Sequence, residues 1–166
     1  MALRFILDGY NIIKSDEGGV FAAATLEQQR TKLLDWLCHC HPQGSSHNTV
    51  MVVFDGKAEH PYWSDTYSEQ MYHGIIVRYS EGVKADDIIE AMASQDQLPA
   101  EIVVVTNDKG IHRRLGGTGA RWISVAAFMA KAVKHQQPSS GGQPMDNTEG
   151  IDNNEITEEM KTKWLK

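Results

Sequence analysis

Cysteine is nearly absent from this chain: Cys38 and Cys40 are the only two in 166 residues. A single residue between them disfavours a mutual bridge, and a chain of this length can bury a core without one. A reducing, cytoplasmic setting is therefore expected. Long apolar runs are missing as well. Nothing approaches the roughly 18 residues of a membrane span, and no charged-then-apolar stretch suggests a secretory leader. Several signatures of phosphate chemistry are also absent. There is no G-x-x-x-x-G-K-[ST] loop, no G-x-G-x-x-G after the first strand and no G-x-S-x-G elbow. The first strand ends in Asp8-Gly9-Tyr10 rather than the Asp-x-Asp of aspartyl-phosphate enzymes.

Positive charge is in deficit. The net charge is −6, which by itself argues against nucleic acid. Half of the excess lies in residues 136–166, with six acids against three bases; residues 1–135 carry sixteen acids and thirteen bases. Five of those sixteen are Asp8, Asp55, Asp86, Asp87 and Asp108. If these surround a divalent ion, the remaining surface is near neutral or slightly basic.

What the sequence does contain is a recurrence. Leu3-Arg4-Phe5-Ile6-Leu7-Asp8-Gly9 is a short apolar run ending in an acid, read as a buried strand with Asp8-Gly9 as its exit turn. Met51-Val52-Val53-Phe54-Asp55-Gly56 and Val103-Val104-Val105-Thr106-Asn107-Asp108 end the same way. Ile75-Ile76-Val77-Arg78-Tyr79 leads into Lys84-Ala85-Asp86-Asp87. One such aspartate is ordinary turn chemistry; the repetition is the signal.

Between these runs the periodicity alternates. Lys14 to Ala24 reads as a mobile loop. Thr25 and Gln28 have capping-box spacing and open a helix, with Leu26, Leu33, Leu34 and Leu37 on one face. The helix ends near Cys38-His39-Cys40-His41-Pro42. Alternating Cys and His residues without a second pair do not meet the spacing of structural zinc, so a frayed helix end is expected. Thr49 to Phe54 is a second strand and Gly74 to Tyr79 a third. Tyr62, Trp63, Tyr67 and Tyr72 between them suit either packing over the sheet or stacking on single-stranded bases. A helix is expected over Lys84 to Ser94, with Ile88, Ile89 and Met92 inward. Its adjacent acids Asp86 and Asp87 point about 100° apart, so at most one faces the sheet fully. Ile102 to Thr106 is a fourth strand, Asp108 to Leu115 a short basic helix, Arg121 to Val125 a fifth strand and Ala126 to Lys134 a last helix. Residues 136–155 are linker-like. Ile156, Met160 and Trp164 give residues 156–166 a short amphipathic stripe.

Alternating strands and helices imply an α/β fold with a mainly parallel sheet, which delivers every strand's carboxyl end to one edge. Asp8, Asp55 and Asp108 then converge there, with Asp86 or Asp87 brought by the following helix. Crowded carboxylates repel, and a hard divalent cation such as magnesium or manganese is the usual remedy. Such an ion activates water toward a phosphodiester without a side-chain nucleophile.

At Asp8-Gly9-Tyr10-Asn11 the sequence resembles the NYN domains of the PIN-like nucleases, in particular the YacP-like group. The resemblance continues through Gln29-Arg30-Thr31-Lys32-Leu33, Val52-Val53-Phe54-Asp55, Tyr79-Ser80-Glu81-Gly82 with Ala85-Asp86, Thr106-Asn107-Asp108 and the Leu115 to Ser124 stretch. It spans roughly residues 3–130, within a domain taken as 1–135. It implies a three-layer, Rossmann-like sandwich with five strands in the order 3-2-1-4-5, and magnesium- or manganese-dependent RNA cleavage. Asp8, Asp55, Asp86 and Asp108 would hold the metal, with Asp87 as a further candidate ligand. Asn11 would bind metal-bound water or orient substrate. Lys14, Arg30, Lys84, Lys109, His112, Arg113 and Arg114 are the candidate substrate contacts. The implied partner is single-stranded RNA (mRNA, tRNA and rRNA all open), with the ribosome as a further option. The oligomeric state is left undetermined. Two other classes stay open: a non-catalytic RNA- or ribosome-binding module with a vestigial site, and a metal-dependent 5′-nuclease or phosphatase. The stripe in residues 156–166 is too short for a stable lone helix. Deleting residues 136–166 is expected to leave metal-dependent cleavage of a short RNA unchanged; loss of folding or of that activity would assign the tail to the domain.

Overall fold

A computed structural model describes residues 1–16, 18–56 and 69–136. Tyr62, Trp63, Tyr67, the linker from residue 137 and the terminal stripe lie outside the described residues. The elements run β1 (Arg4–Asp8), α1 (Gly9–Ser15), α2 (Leu26–Cys40), β2 (Thr49–Phe54), β3 (Glu69–Tyr72), β4 (Ile75–Tyr79), α3 (Ala85–Gln95), a 3₁₀ turn (Pro99–Glu101), β5 (Ile102–Val105), α4 (Lys109–Leu115), β6 (Arg121–Ile123) and α5 (Val125–Gln136). The described strands form one sheet in the order β3-β4-β2-β1-β5-β6. All neighbours are parallel except β3, which runs antiparallel to β4 at the edge. The five strands expected from sequence thus take the expected order, and β3 is an addition to it.

Strand alternation separates two cores. Phe5, Leu7, Val50, Val52, Phe54, Val103 and Val105 face one side and pack with Ile12, Leu33, Leu37 and Phe128 from α1, α2 and α5. Ile6, Val53, Ile102 and Val104 face the other and pack with Ile89, Ala93, Ile111 and Leu115 from α3 and α4. Both faces of the central strands are covered, which is why they read as unbroken apolar runs. At the amino-terminal edge, Arg4 forms a two-point ion pair with Asp96 and fixes the end of α3 to the start of β1. Among the described residues, no helix is long and apolar enough to cross a membrane.

Three local expectations change. Residues 14–24 are not wholly loop, because α1 starts directly after Asp8 and reaches Ser15. Leu26, expected inside, is 48% exposed, since it is the first residue of α2 and lies beyond the sheet's cover. The expected frayed end of α2 is an ordered cap: His41 takes φ 44° and its N–H donates to the Leu37 carbonyl. The Thr25–Gln28 capping box forms as expected.

Gly9 is the first residue of α1 rather than a turn glycine. A Cβ there would stand 2.3 Å from Phe54 Cε1 and 3.0 Å from Val52 Cγ1. Phe54 is fully buried and packed against Tyr10 and Tyr79, so it has nowhere to go. Gly9 thus lets α1 start hard against β2. Gly9→Ala is expected to cost about 1–3 kcal/mol through overpacking. Urea unfolding checks this, and a variant as stable as wild type would contradict the close approach.

Candidate active site

The parallel register sets the geometry. Asp8 is the last residue of β1 and pairs with Val53 of β2, while Leu7 pairs with Val105 of β5. Asp8, Asp55 and Asp108 therefore leave neighbouring strands at the same edge. Asp86 arrives in the first turn of α3.

Backbone N–H groups at helix starts hold these acids, and the acids in turn satisfy the helix ends. Asp8 caps α1, accepting from Asn11 N at 3.4 Å. Asp108 caps α4, its Oδ1 accepting from Gly110 N at 2.6 Å and Ile111 N at 3.3 Å. Lys84, at the N-cap of α3, makes no side-chain cap bond. Asp55 supplies one from a distant strand, its Oδ1 accepting from Ala85 N at 2.8 Å. One interaction therefore both starts α3 and fixes Asp55.

Two buried hydroxyls complete the frame. Thr106 Oγ1 accepts from Asp108 N at 3.1 Å and lies 3.5 Å from Asp8 Oδ2 as a donor. Ser80 Oγ accepts from Gly56 N at 3.1 Å and donates to Asp55 Oδ1 at 3.5 Å. Both sit in stretches that carry the resemblance, yet nothing in their residue type marks them as site residues. Their role appears only with the strand register. Asn107 is a further clip, its N–H donating to Asn11 Oδ1 at 2.7 Å. Its side chain donates to Ser15 Oγ and accepts from Val125 N, joining α1 to α5.

Asp8 is 8% exposed. Burial pushes its carboxyl up to about 6, and the negative charges of Asp86, Asp55 and Asp108 push the same way against the Asn11 N–H. The charges of these three acids thus reach Asp8. Asp87 is not among the charges acting on Asp8; its side chain is 58% exposed and faces Arg114 at 3.7 Å. The two adjacent acids diverge around α3, and only Asp86 acts on Asp8.

The basic candidates divide. Lys14, Lys84, Lys109, His112 and Arg113 are exposed. Lys84 precedes α3 and Lys109 follows Asp108, so both flank the acids. Arg114 is engaged by α3, at 3.5 Å from Asp86, 3.7 Å from Asp87 and 3.2 Å from Glu90. Arg30 is not on the rim. It is buried, with its guanidinium 5.6–6.0 Å from the ring centres of Tyr10, Phe54 and Tyr79. Such a cation is held by aromatic faces and is shielded from a phosphate in solvent. Residue type and motif position were its only signals in the sequence, and they do not report burial.

The shift at Asp8 has a direct consequence for stability. Below about pH 4 the group is protonated whether the chain is folded or not. Between about pH 4 and pH 6 the unfolded chain releases the proton that the folded chain keeps, so metal-free stability falls by about 3 kcal/mol in total; above that the penalty is constant. Asn still caps a helix. Asp8→Asn should therefore gain stability over wild type as pH rises from 4.5 to 7.5 in chelator. A pH-independent difference in urea unfolding would refute the buried, crowded carboxylate.

Comparisons with known proteins place the family and the fold. The sequence matches the YacP-like NYN domain over residues 5–166, beyond the motif-bearing stretch and through the tail. The fold is similar to the crystal structure of Rae1 (YacP) from Bacillus subtilis, with TM-score 0.62 and 24% identity over 81% of this chain and 75% of that one. A mutant of the same protein gives TM-score 0.60 and 24% identity over 80% and 76%. At this identity the likeness carries the fold. No curated protein matches the sequence. With the match covering nearly the whole chain, the protein belongs to the YacP-like NYN family of PIN-like nucleases.

Proposed function

We propose that the chain is an endoribonuclease that hydrolyses RNA phosphodiester bonds with Mg²⁺ or Mn²⁺ held by Asp8, Asp55, Asp86 and Asp108. The observation that carries this reading is the gathering of four acids at one sheet edge around Asp8, whose carboxyl is pushed up to about 6 first by burial and then by the charges of Asp86, Asp55 and Asp108. A buried carboxylate with a raised pKa among other acids marks a candidate functional site, and a bound cation would relieve the repulsion there.

The donor set fits a hard ion. It consists of carboxylate oxygens, and among the described residues the hydrogen bonds of Asp55 and Asp108 all go to Oδ1. Oδ2 of each is left for a ligand. Among the described residues no three acids, histidines or cysteines form a ready-made cage. Binding through all four acids would therefore draw their side chains together or use bridging waters, which magnesium commonly keeps. When bound, the ion would lower the pKa of a coordinated water and offset charge on the phosphate.

The chain's own groups do the rest. Asn11 Oδ1 is already used by Asn107 N, so its side chain offers Nδ2–H, a donor suited to an anionic oxygen of substrate or to a water. The caps hold Asp8, Asp55 and Asp108 in place before substrate arrives, which reduces reorganisation during reaction. Lys14, Lys84, Lys109 and Arg113 supply exposed positive charge for the RNA backbone; Arg30 and Arg114 serve structure instead. The intact acid set favours an enzyme over a vestigial binding module.

Labelled single-stranded RNA and DNA incubated with Mg²⁺, Mn²⁺ or chelator test the proposal. RNA should be cut internally with either ion and left intact in chelator. Asp8→Asn and Asp55→Asn should each lower the rate by about 10²-fold or more. Wild-type turnover in either variant, or chelator-resistant cleavage, would refute the site. Four phosphate contacts would make log affinity fall with log salt at a slope of about −3. Binding insensitive to salt would remove the basic rim.

A further inference from the structure

His112 and Trp122 form a pair that neither the acids nor the core requires. Their rings stack with centroids 4.3 Å apart and planes at 22°. Trp122 is half-buried, and its Nε1–H donates to the Thr106 carbonyl at 2.8 Å. This is the same Thr106 whose hydroxyl joins Asp8 and Asp108. The indole is therefore tied to the strand tip that carries the acids. His112 is exposed and lies four residues after Asp108, one helical turn along α4. One imidazole face covers the indole and the other turns away from it. Exposed Lys109 and Arg113 flank it on the same short helix.

We propose that His112, backed by Trp122, is a stacking platform for one unpaired RNA base next to the scissile phosphate. A flat ring fixed from behind, open in front and bordered by cations is what single-strand recognition needs. The base must be unpaired, because a base inside a helix presents no free face. The cations meet the flanking phosphates, which would otherwise be repelled by the acids. Anchoring through Thr106 sets the distance from stacked base to acids, so the platform would place the chain for cutting as well as hold it. This deepens the ribonuclease reading and rests on it for the position of the scissile bond.

Fluorescence anisotropy in chelator, where no cutting is expected, tests the platform. The probes are a labelled single-stranded RNA octamer and a set of octamers each lacking one base. The proteins are wild type, His112→Ala and His112→Phe, with thermal melts to confirm folding. His112→Ala should weaken binding of the intact octamer about ten-fold. His112→Phe, which keeps a flat ring, should stay within about two-fold of wild type. For wild type, removal of one base should cost a similar factor, and His112→Ala should show no further loss on that octamer. Equal weakening on all octamers, no weakening, or a Phe variant as poor as Ala would overturn the platform. Failure of wild type to bind any octamer would overturn it together with the RNA-directed reading. The stacking signature in a protein that does not cleave RNA with Mn²⁺ would uphold the platform and overturn only the nuclease reading.

Discussion

The burial of a carboxylate, Asp8, at a sheet edge shared with three other acids is the constraint on which this structure turns. Asp8 sits at its centre, buried at the tip of β1, with the charges of Asp55, Asp86 and Asp108 around it. Left free, such groups would swing apart into water. Asp8, Asp55 and Asp108 are held because the starts of α1, α3 and α4 need acceptors and these acids provide them, while Asp86 is paired with Arg114. Helix capping worth about 1 kcal/mol at each end offsets part of the cost of burying Asp8 in its charged form. The fold thereby keeps a buried acid at the strand tip at a cost in stability, a cost that the proposed cation would relieve.

Positive charge near the site is used selectively. Arg30 is enclosed by Tyr10, Phe54 and Tyr79, directly behind the strand tip that carries Asp55. Arg114 spans Asp86, Asp87 and Glu90 and so ties α4 to α3. Arg30 is buried, and Arg114, though exposed, is already engaged by three acids. Lysines and one arginine at the rim remain, along with the His112–Trp122 stack. An overall acidic chain can in this way offer a locally basic approach to an acidic centre.

Much of this arrangement is legible in the sequence. Buried parallel strands read as apolar runs, and the acid after each run gives its place at the edge once the sheet is parallel. The capping box at Thr25 is legible because both partners lie within one turn. Other features depend on contacts distant in the chain. The cap that Asp55 gives to Ala85 spans thirty residues, and the hydroxyls of Ser80 and Thr106 matter only through register. Helix α1 escapes the periodicity because it has seven residues, too few to show a repeat. Gly9 mimics a turn glycine, although its real constraint is the ring of Phe54. A lone arginine in sequence has no address, which is why Arg30 and Arg114 look like rim residues until the fold is known.

The most direct measurement is the titration of Asp8 itself, followed by carboxyl ¹³C NMR with and without saturating Mg²⁺. The account predicts a midpoint at about 6 in the metal-free protein. With the ion bound it should fall below the ordinary carboxylate value of about 4. An Asp8 that titrates near 4 without metal, or that does not respond to Mg²⁺, would contradict the account.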